Sequence, residues 1–214
     1  MPAIPPPAGG LSSPAHVEQL AAGTRLWRIH SARRGAAEPN PTTPKQGAGG
    51  RFDSDDGSYA YLYAGDSHEA AIAEALCRDL PLGGAPRIVP AAMLRNRLLT
   101  ALEVIEDLQV ASLRGPHLSA IGQDLWLTES EAVDYPLTRR WAAAILEATP
   151  AVGLAYRCRH DEDRLAWILT APLDHANDTG LRAVVDSTIR LDDTVGKILV
   201  SRVLDAHSAV LSTR

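Results

Sequence analysis

At 214 residues, 45% apolar and 22% charged, the chain is long enough to bury a core and has the composition of an ordinary globular protein. A formal net charge of −5 gives no electrostatic reason to expect nucleic acid or an anionic membrane as partner. No run of about 20 apolar residues offers a membrane span, and the start, MPAIPPPAGGLSSPA, lacks the basic and apolar regions of a secretory signal. Two cysteines, Cys77 and Cys158, make neither a disulfide framework nor a metal cluster. A reducing cytoplasm is the simplest compartment for such a chain.

Residues 1–15, rich in proline and glycine, read as a flexible leader, and residues 16–214 as a single domain. His16–Ala22 reads as a short helix, and Thr24–His30 (TRLWRIH) alternates as a strand. Residues 31–50 are polar, without periodicity, and a loop of that length is more often functional or mobile than incidental. Tyr59–Ala64 reads as a strand on aromatic enrichment and period-2 spacing. Asp66 and Glu69 form a D-x-x-E capping box for a helix over about 67–78. Pro81–Pro90 is a turn-rich connector, Leu94–Val110 holds two strand-like runs, and Trp126–Thr128 reads as a short strand. Pro136 opens a helix that runs to about Ala148. Strands follow at Val152–Tyr156 and Leu165–Thr170, joined by the charged turn RHDEDR, then a strand over Ala183–Leu191 and an amphipathic helix over Thr194–Leu204. Helices and strands mix without strict βαβ alternation, which predicts an α+β fold with mixed, largely antiparallel sheets and flanking helices.

The chemistry concentrates in Gly49–Leu76. On a helical wheel Ala71, Ile72, Ala75 and Leu76 form an apolar stripe, and Glu74 points away from its centre beside Ala70, Ala73 and Cys77. An acid in so apolar a neighbourhood is a cleft residue, an error of helix phase, or a plain surface glutamate. Arg51 follows two glycines that permit close backbone approach, and its planar fork suits a phosphate or carboxylate; the bland reading is a surface arginine in a turn. Arg28 carries the same ambiguity inside its strand. Tyr59, Tyr61 and Tyr63 share one strand face, as a stacking surface or as half of a sheet core. His160–Asp163 (HDED) has metal-ligand residue types but reads as a solvated turn, and no metal is expected.

Taken in order, these pieces resemble the RES-domain family, the toxin halves of Xre–RES toxin–antitoxin pairs, whose fold is similar to that of ADP-ribosyltransferases and whose characterised members consume NAD. The resemblance runs from about Leu26 to Thr170. It is carried by LWRIH with Arg28, GGRF with Arg51, and YAGDSHEAAIAE with Tyr63 and Glu74 at the family's spacing of eleven. In GLAYRCRH, Cys158 stands where the family usually has serine. The resemblance implies an ADP-ribosyltransferase-like fold and NAD as substrate. Glu74 is then the catalytic acid, with Arg51 and Tyr63 beside it. Arg28 and Arg51 hold the dinucleotide, Tyr63 packs on its nicotinamide end, and Cys158 offers a weaker donor than the serine it replaces. It further implies cleavage of the nicotinamide–ribose bond, of NAD glycohydrolase or phosphorylase type. A protein ADP-ribosyltransferase and a catalytically silent binding module are the alternatives. The implied partner is an Xre-type helix-turn-helix antitoxin, with homo-oligomerisation through that complex and no direct nucleic-acid contact.

Overall fold

In the computed structural model, which describes residues 5–8, 10–11, 13–40, 49–81, 83, 86–175 and 178–212, the expected α+β architecture is present. Its centre is a nine-stranded, largely antiparallel sheet in the order β1-β6-β7-β8-β3-β2-β5-β10, with β9 also paired to β5. The strands are β1 (Val17–Leu20), β2 (Arg25–Ser31), β3 (Tyr59–Gly65), β5 (Arg97–Val104), β6 (Leu108–Ser112), β7 (Gly153–Cys158), β8 (Asp161–Pro172), β9 (Leu181–Ala183) and β10 (Ile189–Arg190). The β6–β7 pair is parallel. Two short strands, β4 (Ile88–Val89) and β11 (Val210–Leu211), pair apart from it. The helices are α1 (His68–Ile72), α2 (Pro116–Ala120), α3 (Trp126–Glu129), α4 (Tyr135–Glu147) and α5 (Thr194–Ala206).

Side-chain alternation divides the core. Leu62 and Ala64 of β3, Trp167 and Leu169 of β8 and Leu26 of β2 fill one face. On the other face, the β7–β8–β3 half packs Leu154, Tyr156, Ile168 and Tyr61 against Trp141 and Ile145 of α4. The β2–β5 half packs Leu99, with Trp27 and Ile29 at its margin, against Ile72, Val200 and Leu204 of α1 and α5. Between the halves the sheet opens. β2 pairs with β5 over seven residues, yet it meets β3 only at Trp27↔Gly65. Gly65 is needed at this single crossing, because a Cβ there would lie 2.6 Å from that of Ala70. Asn40 then bridges to Tyr61 in place of the departed strand.

Several expectations fail for physical reasons. His16–Ala22 is not a helix: Val17–Leu20 pairs with Leu108–Ala111 at the sheet edge, a long-range partner that overrides weak local preference. Trp126–Thr128 is the helix α3, begun where Asp124 accepts from the Trp126 amide. Ala183–Leu191 breaks into β9 and β10 around Asp186, which has φ 57°. The cap of α1 is Ser67, accepting from Ala70 N, while Asp66 accepts from Leu165 N on the neighbouring strand. The charged turn after β7 is shorter than RHDEDR, since β8 already begins at Asp161. In the leader, Ala15 joins the core and Leu11 packs against it. Of the 31–50 loop, residues 41–48 lie outside the described residues. None of the described helices is long and apolar enough to cross a membrane.

Candidate active site

The opening between β2 and β3 continues into a cavity of about 790 Å³, within the range that holds small-molecule and cofactor-sized ligands. Its wall carries eight arginines against three acids, Asp53, Glu74 and Asp79. A basic cavity in a chain of net charge −5 favours an anionic ligand.

Glu74 reaches this wall through a change of helix type. α1 gives way after Ile72 to a π-helical turn, Ala73–Cys77, so the regular wheel does not continue through residue 74. The carboxylate is fixed from two sides. The Tyr156 hydroxyl donates to Oε2 at 3.2 Å, and the Arg159 amide donates to Oε1 at 3.0 Å. That amide has left the ladder, because the β7–β8 register shifts between Arg157 and Cys158. Burial first, and the Glu74 charge second, hold the Tyr156 phenol well above its ordinary pKa, so it remains a donor. A carboxylate has about four lone-pair directions, and two donors leave it able to face a ligand.

Arg51 is placed by a tightly bound turn. The Tyr63 hydroxyl donates to Asp53 Oδ1 at 2.8 Å and accepts from the Phe52 amide at 2.9 Å. Asp53 Oδ2 accepts from Gly50 N, the Tyr59 hydroxyl donates to the Phe52 carbonyl, and Thr138 Oγ1 donates to the Arg51 carbonyl at 2.6 Å. Arg139 Nε completes the set, donating to the Gly50 carbonyl. Neither glycine has room for a side chain. A Cβ on Gly49, where φ is +109°, would lie 2.2 Å from Asp53 Oδ2, and one on Gly50 would lie 2.6 Å from the Tyr63 hydroxyl. The Arg51 guanidinium ends 3% exposed at the cavity wall, 5.9 Å from the Tyr135 ring centroid. Its Nε is buried with no hydrogen-bond partner, a donor awaiting an acceptor.

The other predicted residues are placed differently. Arg28 borders the cavity, but NH1 donates to the carbonyls of Ala36 and Glu38 and NH2 to Asn40 Oδ1. It shares the parity of Leu26, the face against which Ala36 and Ala37 pack, and burial lowers its pKa to about 10. Its guanidinium therefore holds the 36–40 segment in the gap left by β3. Tyr63 lines the cavity with its hydroxyl committed to the Gly49–Asp53 turn. Cys158 is not brought to the cavity: it is 0% exposed among Phe52, Tyr156 and Ile168, and burial pushes its thiol up. The structure thus joins Glu74, Arg51 and Tyr63 at one wall, adds Arg28 at the border, and leaves Cys158 behind it.

Sequence reasoning passed over Tyr156, Asp53, Thr138 and Arg139. The signal for the last two was present, since Thr138 and Arg139 fall on the buried side of α4 among Tyr135, Ala142 and Ile145. His16, Glu18 and His117 are close enough together to hold an ion, but they lie outside the cavity lining, and the Glu18 carboxylate is bound by Arg114.

A family model described as the RES domain matches residues 25–192. The chain belongs to the RES-domain family. The match begins at the first residue of β2 and ends just beyond β10, so it contains every residue of the candidate site. A similar fold is seen in a solved structure, the M. tuberculosis MbcT–MbcA toxin–antitoxin complex, one chain of which is similar at 18% identity and a TM-score of 0.58. The likeness covers 85% of this chain and 91% of that one. No curated protein matches the sequence.

Proposed function

We propose that this RES domain cleaves the bond between ribose and nicotinamide in NAD, and that it acts in the cytoplasm as the toxin of a toxin–antitoxin pair. The observation that carries the reading is Glu74, held by Tyr156 and Arg159 N on the wall of an arginine-rich cavity. Breaking that glycosidic bond develops positive charge on the sugar, as in glycoside hydrolysis, and nicotinamide departs with the bonding pair. A preorganised carboxylate stabilises the oxocarbenium-like state more than the ground state. The Arg51 guanidinium, with a buried Nε lacking an acceptor, is suited to the pyrophosphate, and the Tyr63 ring to the nicotinamide end. Water, phosphate or a protein side chain then takes the ADP-ribose. The similarity to the MbcT–MbcA complex supports the toxin role, and an Xre-type helix-turn-helix protein is the partner we assign to it.

The test is release of free nicotinamide from NAD by purified protein. Glu74→Gln keeps the shape of the side chain and removes the charge, so release should fall by about 10²–10³ with the fold intact. Equal rates for variant and parent would overturn the assignment. The other reading is a module that binds NAD without turning it over. Calorimetric binding with no nicotinamide release over hours would select it. An antitoxin that acts by covering the site should compete with NAD.

A further inference from the structure

The cavity has a second cationic pole, distinct from the wall around Glu74. β2 ends at Ser31, which pairs with Arg97 at the start of β5, and the Ala32 amide donates to the Asn96 carbonyl at 2.8 Å. Two corners of chain therefore meet at this end of the sheet. One carries Arg33 and Arg34, the other Arg95 and Arg97, and all four line the cavity. Asn96 adopts φ 54° between its two arginines, and its amide is bound by Asp192, which fixes the corner. Arg34 is partly used, donating to Glu38 and to the Pro39 carbonyl. Arg33, Arg95 and Arg97 take part in none of the ion pairs or side-chain donations among the described residues.

The acids of the lining, Asp53, Glu74 and Asp79, belong to the Gly49–Asp79 side of the cavity. At the corners Glu38 is paired with Arg34, and Asp192 binds the Asn96 amide and Arg190; neither of these two acids lines the cavity. Strand β2 gives a scale for the separation of the two ends. Trp27 sits at the β2–β3 crossing beside α1, and Ser31 lies four residues along β2, roughly 13 Å away at about 3.3 Å per residue. An extended dinucleotide with its nicotinamide ribose at Glu74 would bring its adenosine ribose to the arginines. In doubly wound dinucleotide-binding folds a carboxylate takes the 2′-hydroxyl of an unmodified ribose and an arginine accommodates a 2′-phosphate, and the pairing of guanidinium with phosphate does not depend on the fold. Three unpaired guanidiniums without a lining acid match the second chemistry.

We infer that the corner formed by Arg33, Arg95 and Arg97 is a subsite for a 2′-phosphorylated adenosine, which makes NADP the preferred dinucleotide of this cavity. The inference rests on the proposed NAD-cleaving reading for the orientation of the ligand. Its test separates the two by using the adenosine end alone. Binding of 2′,5′-ADP and 3′,5′-ADP, which differ only in the position of one phosphate, is measured by calorimetry at about 0.15 M salt, where exposed charges are screened within about 8 Å. The 2′ isomer should bind at least about tenfold more tightly, the worth of one charge-assisted hydrogen bond. The triple substitution Arg33→Ala, Arg95→Ala, Arg97→Ala should erase the difference. Glu74→Gln should preserve it. Equal binding of the isomers, no binding of either, or a preference that survives the triple substitution would overturn the subsite. Nicotinamide release from NADP and NAD is read separately. Preferential binding without any release leaves the subsite standing and sinks the proposed reaction; release from NAD with equal isomer binding does the reverse.

Discussion

Gly50→Ala tests whether the Gly49–Asp53 turn, and Arg51 with it, is built around the Tyr63 hydroxyl. The added methyl would stand 2.6 Å from that oxygen and 2.8 Å from both Asp53 Oδ1 and Tyr63 Cζ, all closer than real Cβ contacts come. The phenol cannot swing aside cheaply, since it is tied to Asp53 at 2.8 Å and to the Phe52 amide at 2.9 Å. Overpacking of this kind costs about 1–3 kcal/mol, and weakening one of those hydrogen bonds adds about 1 kcal/mol. The sum, about 2–4 kcal/mol, corresponds to a Tm lower by roughly 4–16 °C for a chain of this size. Gly35→Ala is the control. Its nearest neighbour, Glu38 Cβ, is 3.5 Å away, so stability should stay within about 0.5 kcal/mol of the parent.

A double-mutant cycle makes the reasoning sharper. Tyr63→Phe removes the oxygen that the new methyl strikes, and leaves the buried Phe52 amide and an Asp53 oxygen without that partner. Gly50→Ala with Tyr63→Phe should therefore cost less than the sum of the singles, by about 0.5 kcal/mol or more. Thermal melts followed by circular dichroism supply all four corners. A Gly50→Ala protein that melts with the parent, or strictly additive losses, would show that the turn is not organised by this contact.

Tyr156→Phe should lower nicotinamide release by about tenfold with little change in fold, because Glu74 keeps the Arg159 amide but loses its hydroxyl donor. Both thiols should resist Ellman's reagent in the native protein and react on unfolding: they are buried, and burial pushes Cys77 up to about 12 and Cys158 further. Cys158→Ser should cost about 1–3 kcal/mol by placing a hydroxyl in an apolar cluster, whereas a gain in turnover would put that position against substrate. His30, His160 and His207 are all held below the usual value of 6.5, burial being the largest cause in each. The unfolded chain then takes up protons first as pH falls. Stability is fully present above about 6.5 and is lost below it, so the urea midpoint should drop between pH 7.5 and pH 5.5, and less so in His30→Gln.

How far the site was legible depends on whether a contact is local or crosses the sheet. Period-2 spacing placed Tyr59–Ala64 in a strand, and Glu74 stood out against its alanines, because both are patterns over a few residues. The cap at Ser67 lay one residue from the expected box, a distinction that only the reach of Asp66 to Leu165 N decides. The π turn left no periodic signature, and the amide of Arg159, like any backbone donor, has no side-chain code. Arg28 looked like a ligand clamp because nothing in LWRIH reveals that residues 36–40 fold back to offer it carbonyls. Cys158 looked like a site residue by alignment of short pieces, while strand packing sends it to the core and leaves Tyr156, two residues earlier, in contact with Glu74.

The tyrosine triplet shows why this division matters for function. As a stacking surface it would be replaceable by any aromatic strand; as built, two of its hydroxyls hold the Gly49–Asp53 turn and its rings meet edge to face at 6.3 and 6.0 Å. Those hydroxyl contacts hold the turn that carries Arg51. The candidate wall is thus assembled from two pieces, the glycine turn carrying Arg51 and the π turn carrying Glu74. Each is anchored to the β3–β7–β8 half, through Tyr63 in one case and Tyr156 in the other. The arginine corner at Ser31 and Arg97 belongs instead to the β2–β5 half, whose backbone ladder with its neighbour is one residue pair long. A ligand spanning both halves would tie together the two parts of the sheet that the fold itself joins least.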